Sequence, residues 1–168
     1  SILLWPLFLA GGADGTAFDH SHRALGELLS QRVRDGAVDY AAIKARPKPL
    51  EDYLTTFAGV SEDVFKRWPE KERLAFLINL YNAATLQLIA DHYPVKSIKD
   101  IGSLLKGPWD QPVVKVFGRR LSLNDLEHKI LRVGYREPRI HFALVCAAKG
   151  CPPLRSEAYV ADRLAEQL

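Results

Sequence analysis

The sequence predicts an α+β domain, mostly helical, with a small antiparallel β-sheet and one long central buried helix. Three observations carry this. The stretch "RLAFLINLYNAATLQLIADHYP" is apolar almost all round, as a helix enclosed by the rest of a core must be. Shorter segments on either side repeat apolar residues at helical spacing, whereas "VVKVFGRRLSL" reads as two extended arms around a turn. The chain has 168 residues and 48% hydrophobic content, enough for one domain with a substantial core.

Taken in order, Asp19 to Asp35 reads as an amphipathic helix with Ala24, Leu25, Leu28, Leu29 and Val33 on one stripe, stopped by "RDG". "VDYAAIKARPKP" follows as a short extended or irregular link. Leu50, Tyr53, Leu54 and Phe57 mark a second helix ending near Gly59, and Ser61 caps a short third one reaching Trp68. Pro69 opens the long helix, Glu70 to about His92. Proline suits a first helical turn, and "EKE" suits the positive end of the dipole. Pro94 ends it. Ser97 to Leu105 is a small helix, and the hairpin turns at Gly118 to Arg120. Ser122 caps a helix through Val133, with Asp125 as its capping-box partner. "RIHFALVCAA" reads as a buried strand, and Ser156 begins a last helix. There is no internal repeat and no low-complexity segment.

There are 23 Lys+Arg against 20 Asp+Glu, a formal charge of +3, with no dense basic cluster interleaved with aromatics. That balance does not point to nucleic acid. No apolar run reads as long enough to span a membrane. The block Ile2 to Ala10 is uninterruptedly apolar and is followed by small residues. It looks like the core and cleavage zone of a secretory signal, so residues 1–13 are expected to be a signal remnant and the domain to start near Phe18; the alternative is an N-terminal strand or helix packed on the core. A location outside the cytoplasm, in which cysteines can be oxidised, follows from that expectation.

Chemistry is expected where polar groups lie on apolar faces. Around the helix of "NDLEHKILR", Glu127 falls inside the stripe of Leu123, Leu126 and Ile130, and His128 falls at its edge. A carboxylate on a buried face is costly unless paired, so Glu127 needs a partner. The two side chains lie about 100° apart, so Glu127 does not orient its own neighbour. Asn79 and Asn82, three apart in the long helix, share a face among small and apolar residues. Each must be satisfied by a loop's backbone, an imidazole or a substrate amide.

Cys146 and Cys151 are the only cysteines. A disulfide between them would be worth roughly 2 kcal/mol in the chain-entropy model, with Gly150 easing the turn. A zinc clip lacks two further ligands nearby. A nucleophilic Cys146 needs a lowered pKa, an imidazole within reach and partial exposure, and Lys149 favours a thiolate. An inert core thiol is the fourth reading. On an extended strand His141 would lie roughly 16 Å from Cys146, a poor base for it.

Three linked stretches, "LAFLINLYNAATLQLIADHYPVKSI", "GRRLSLNDLEHKILR" and "PRIHFALVCAAKGCPPLRSEAY", resemble in order and spacing the domain of unknown function 547 (DUF 547), over about Phe18 to the end. Leu77 stands where that pattern usually has Trp, a hydrophobic exchange. The family domain normally continues with more secondary structure than is read here. Its members look like secreted or envelope proteins of bacteria, and plant relatives are often joined to a leucine-zipper segment. The resemblance brings no established reaction. Its polar motif positions correspond to Asn79, Asn82, Glu127, His128 and Cys146, and Cys146 belongs to the pattern more firmly than Cys151, where the plant-like form has Ser.

The Cys, His and Glu or Asn set at these positions, on apolar faces, suggests a cysteine-hydrolase-like or acyl-transferase-like enzyme of the periplasm or secreted fraction; no cofactor and no metal are expected. Cys146 would attack a carbonyl of a small-molecule or peptide substrate, His128 would take the proton, and Glu127 or Asn79/Asn82 would orient the imidazole. "KGCPP" cannot start a helix before Pro152, so the thiol would lack a helix dipole and would depend on the amides of Ala147 to Gly150. The alternative is a non-catalytic protein-binding or scaffolding domain in which the same polar set fixes the core.

Overall fold

The structure, a computed structural model, describes residues 17–102, 106–145 and 152–168. The expected signal remnant, Cys146 and Cys151 lie outside the described residues.

Helix α1 (Arg23–Arg32) buries Leu25, Leu28 and Leu29, and Val33 continues the same apolar stripe from the first residue of a strand. The "RDG" stop is a hairpin of β1 (Val33–Arg34) and β2 (Ala37–Val38). Asp35 and Gly36 both have positive φ, 51° and 78°, as a two-residue turn between right-twisted strands requires. The segment expected to be an irregular link contains α2 (Tyr40–Ala45). Asp39 accepts from the Ala42 N–H, a helix-starting signal hidden inside "VDYAAI". Helices α3 (Lys48–Ala58) and α4 (Glu62–Lys66) lie where the spacing placed them, the latter capped by Ser61.

Helix α5 (Glu70–His92) is the axis of the fold. Every residue from Leu74 to Ala90 except Gln87 is buried. Phe76 is the hub of an aromatic cluster, with the rings of Phe18, Phe57, Phe65, Trp68 and Phe117 centred 4.6–6.2 Å away. One sequence expectation needs correcting. By length and composition α5 is apolar enough to cross a bilayer, with mean hydropathy 1.2, against the expectation that no apolar run is long enough. Its most apolar window is 89% buried inside the fold, so protein rather than lipid covers it.

The expected small sheet is two separate two-stranded ribbons. The second pairs β3 (Val114–Val116) with β4 (Arg119–Leu121) around Phe117 and Gly118, whose φ values of 54° and 70° mark the same type of turn. Of the small helix expected from Ser97, a single 3₁₀ turn at Ile98–Asp100 is described, closed by the Ser97–Asp100 capping box.

The helix capped by Ser122 and Asp125 is α6. It is π-helical over Asp125–Leu131 and α-helical over Arg132–Gly134. The following strand expectation is overturned: Ile140–Ala143 is a short helix, α7, and its Phe142 is 66% exposed. Long-range ties hold this turn, which the local apolar pattern does not reveal. Arg139 reaches the Ala165 carbonyl, and Asn82 grips residues 143 and 145. The last helix starts later than Ser156, with a 3₁₀ turn at Ala161–Arg163 leading into α8 (Leu164–Gln167).

Candidate functional site

The site is built outward from α5. Asn79 and Asn82 are buried on one side of this helix and treat the chain beside them as a neighbouring strand would. Asn82 Nδ2 donates to the Ala143 carbonyl and its Oδ1 accepts from the Val145 N–H, both at 2.9 Å. Asn79 Nδ2 donates to the Tyr159 carbonyl at 2.7 Å and its Oδ1 accepts from the Tyr159 N–H at 3.0 Å. Gln167 on α8 repeats the device, donating to the Ala158 carbonyl and accepting from the Val160 N–H, both at 2.9 Å. Irregular backbone is affordable inside a core only if its polar groups are matched, and these three carboxamides match it. Asn79 and Asn82 thus hold chain on either side of the two cysteines in sequence. A further contact is made by Gly36: a Cβ there would sit 2.4 Å from the Pro153 Cβ.

Glu127 sits on the α5-facing side of α6, its side chain 16% exposed. The partner it needs is double. Its Oε1 lies 3.2 Å from Arg132 Nε, and the Tyr81 hydroxyl donates to Oε2 over a long 3.4 Å. Burial, and secondarily the Glu127 charge, push the Tyr81 phenol well above its ordinary range, so Tyr81 remains a donor. In an α-helix residues five apart lie roughly 140° apart and do not meet. The π-helical winding, seen in the Arg132 N–H bonding to the Glu127 carbonyl, stacks residue 132 over residue 127 and makes the ion pair possible. His128 is exposed, and Glu127 turns to Arg132 and Tyr81 instead of to it.

Arg132 also links Glu127 to α7. Its Nη2 lies 3.1 Å from His141 Nδ1. A guanidinium only donates, so Nδ1 accepts and the ring proton resides on Nε2. Arg132 and His141 both line a cleft of about 520 Å³ between α6 and α7, with Ile140 and Leu144 among its apolar lining. Arg136 and Glu137 also line it. Glu137 is tied to Arg139 through both carboxylate oxygens, at 2.9 and 2.7 Å, and these bonds hold its carboxyl down at about 2. Among the described residues no three His, Cys, Asp or Glu side chains gather closely enough to hold a metal ion.

The structure thus brings Glu127 into one network with Tyr81, Arg132 and His141, gives Asn79 and Asn82 to backbone, and leaves His128 on the surface. Arg132, Arg136, His141 and Gln167 were not singled out by sequence reasoning as part of a favoured site. His141 was set aside on the geometry of an extended strand, and with α7 helical that argument lapses. No sequence signal marks the Glu127–Arg132 pairing, because it exists only in the π-helical register.

No curated protein and no solved structure matches the chain. The family described as "Protein of unknown function, DUF547" matches residues 65–168, more than half of the chain. The match begins within α4, later than the resemblance read from Phe18, and takes in α5, α6, both clamping asparagines and both cysteines. On this match, the chain belongs to the DUF547 family.

Proposed function

We propose that this domain is a thiol-dependent acyl hydrolase or acyl transferase with Cys146 as its nucleophile, working in the cell envelope. The observation that carries the reading is the Asn82 clamp. One buried carboxamide fixes Ala143 and Val145, the backbone entering Cys146, to the most enclosed helix of the fold. Leu144, within that clamped segment, lines the cleft of Arg132 and His141. Catalytic groups need such rigid support.

In the proposed reaction the Cys146 sulfur bonds to the substrate's carbonyl carbon and its proton passes to an imidazole. The leaving group departs with that proton, and water or a second nucleophile then releases the acyl group and restores the thiol. His128 is assigned as the base, because Arg132 keeps His141 in the Nε2–H form. His141 and Arg132 instead offer N–H donors to developing negative charge. Asn79, Asn82 and Glu127 are positioning residues.

The test is the pH dependence of Cys146 alkylation by iodoacetamide in a Cys151→Ser background. A thiol pKa well below about 8.5, rising in His128→Ala and little changed in His141→Ala, supports the assignment. An ordinary thiol pKa that ignores both histidines overturns it. One observation favours a second reading, a non-catalytic scaffolding domain. Asn79, Asn82 and Gln167 each commit both polar atoms to backbone, as a purely structural network would. On that reading Cys146→Ala lowers the melting temperature and removes no reaction.

A further inference from the structure

We infer that the cleft between α6 and α7 binds a substrate carboxylate, so that the acyl compounds accepted by this domain carry a free acid group. The inference rests on the hydrolase or transferase reading and names its substrate class. The charges around the cleft are already partly matched. Glu137 is held by Arg139 through its two oxygens and also accepts from the Arg139 N–H at 3.0 Å. Glu127 is held by Arg132 Nε and by Tyr81. Arg136 lines the same cleft and has no carboxylate within ion-pair distance among the described residues. Arg132 is half exposed and uses only Nε and Nη2 in its bonds to Glu127 and His141, which leaves Nη1 uncommitted. The cleft therefore holds one guanidinium in surplus beside a second with donors to spare, over an apolar lining of Ile140 and Leu144.

A single surplus cation matches a monoanion. Planar guanidinium forks match the two coplanar oxygens of a carboxylate, which they bind bidentately. The volume of about 520 Å³ is that of a small-molecule site, large enough for an acylated amino acid with an apolar side chain. Glu137 cannot fill this role itself, because Arg139 already holds it.

The probes are N-acetyl-L-leucine and N-acetyl-L-leucinamide, titrated calorimetrically and by the ring signals of His141 into Cys146→Ser protein. That variant cannot form a thioester, so binding is read apart from the thiol chemistry. The acid is expected to bind at least about tenfold more tightly than the amide, and added salt is expected to weaken it. Arg136→Gln is expected to abolish the preference and Arg136→Lys to restore part of it. Arg136 is exposed, so neither change threatens the fold. Equal binding of acid and amide, no binding at millimolar concentration, or a preference that survives Arg136→Gln overturns the inference. Inorganic phosphate binding as tightly as the acid overturns the assignment to a carboxylate. Selective binding of the acid together with an ordinary Cys146 thiol pKa would remove the proposed reaction and leave the carboxylate site standing.

Discussion

Asn79 and Asn82 stand three residues apart on α5 and grip two segments that are remote from each other in sequence, Tyr159 and residues 143–145. A carboxamide donates and accepts through one planar group, as a neighbouring strand's backbone would, so it can stand in for a missing strand on both counts. The chain between residues 145 and 159 is therefore anchored at both ends to one rigid helix, and the two cysteines lie within that span of sequence.

Replacing either asparagine leaves a buried N–H and a buried carbonyl without partners. Each such group costs roughly 1–3 kcal/mol, so Asn82→Ala and Asn79→Ala should each destabilise by roughly 2–6 kcal/mol in urea unfolding. Asn82→Asp should be at least as damaging at neutral pH, because it loses the donor to Ala143 and buries a charge. An alanine at either position that unfolds at the wild-type midpoint would show that the clamp carries no stability.

The Gly36 turn gives a sharper comparison. Gly36 and Gly118 both have positive φ, so Gly→Ala costs roughly 1–2 kcal/mol of backbone strain at either site. At Gly118 nothing lies within 4 Å of the new methyl, whereas at Gly36 it would meet the Pro153 Cβ at 2.4 Å. Gly36→Ala should therefore lose roughly 1–3 kcal/mol more than Gly118→Ala. Equal urea midpoints for the two variants would mean that the hairpin does not press on Pro153.

His22 makes stability depend on pH. It is 1% exposed, its Nδ1 lies 2.8 Å from the Tyr53 hydroxyl, and its Nε2 is buried without a partner. Burial chiefly, and then the nearby His20, depress its pKa from 6.5 to about 4. Between those values the unfolded chain binds a proton that the folded chain refuses. The contribution of His22 is therefore complete above pH 6.5 and is lost as pH falls towards 4, by roughly 3 kcal/mol in all. Carboxylates also titrate near the lower end, so the measurement is the slope of unfolding free energy against pH in wild type minus that in His22→Phe. A difference near zero from pH 6.5 to 4 would refute the assignment.

Much of this architecture was legible in the sequence, for reasons that separate what was seen from what was missed. Helix α5 runs from Glu70 to His92, as read, because prolines bracket it and its apolar content admits no other period. The β3–β4 hairpin and the Ser122–Asp125 box are likewise local devices, each closed within a few residues. α7 was misread because "RIHFALV" has strand-like apolar content. What makes it a helical turn is Arg139 reaching residue 165 and Asn82 reaching residues 143 and 145, contacts no local window contains. At the site, the need of Asn79, Asn82 and Glu127 for partners was visible from polar groups on apolar faces. The partners were not, since backbone carbonyls carry no sequence signature and the Arg132 pairing depends on helix winding.

That pairing supports a last prediction, which separates the link between α6 and α7 from its contribution to stability. Arg132 is 48% exposed, so its ion pair with Glu127 is worth only about 0.5–1 kcal/mol, and Arg132→Ala should lower stability by little more than that. Its effect on His141 should be plain, because Arg132 is the donor that reserves Nδ1 as an acceptor. In wild type the ¹⁵N shifts of the neutral ring should report the Nε2–H form alone. In Arg132→Ala both tautomers should appear, while Glu127→Gln, which keeps the guanidinium, should retain mostly the first. A ring that stays in the Nε2–H form without Arg132 would mean that the 3.1 Å contact does not govern His141, and the proposed donor role of that imidazole would lose its structural cause.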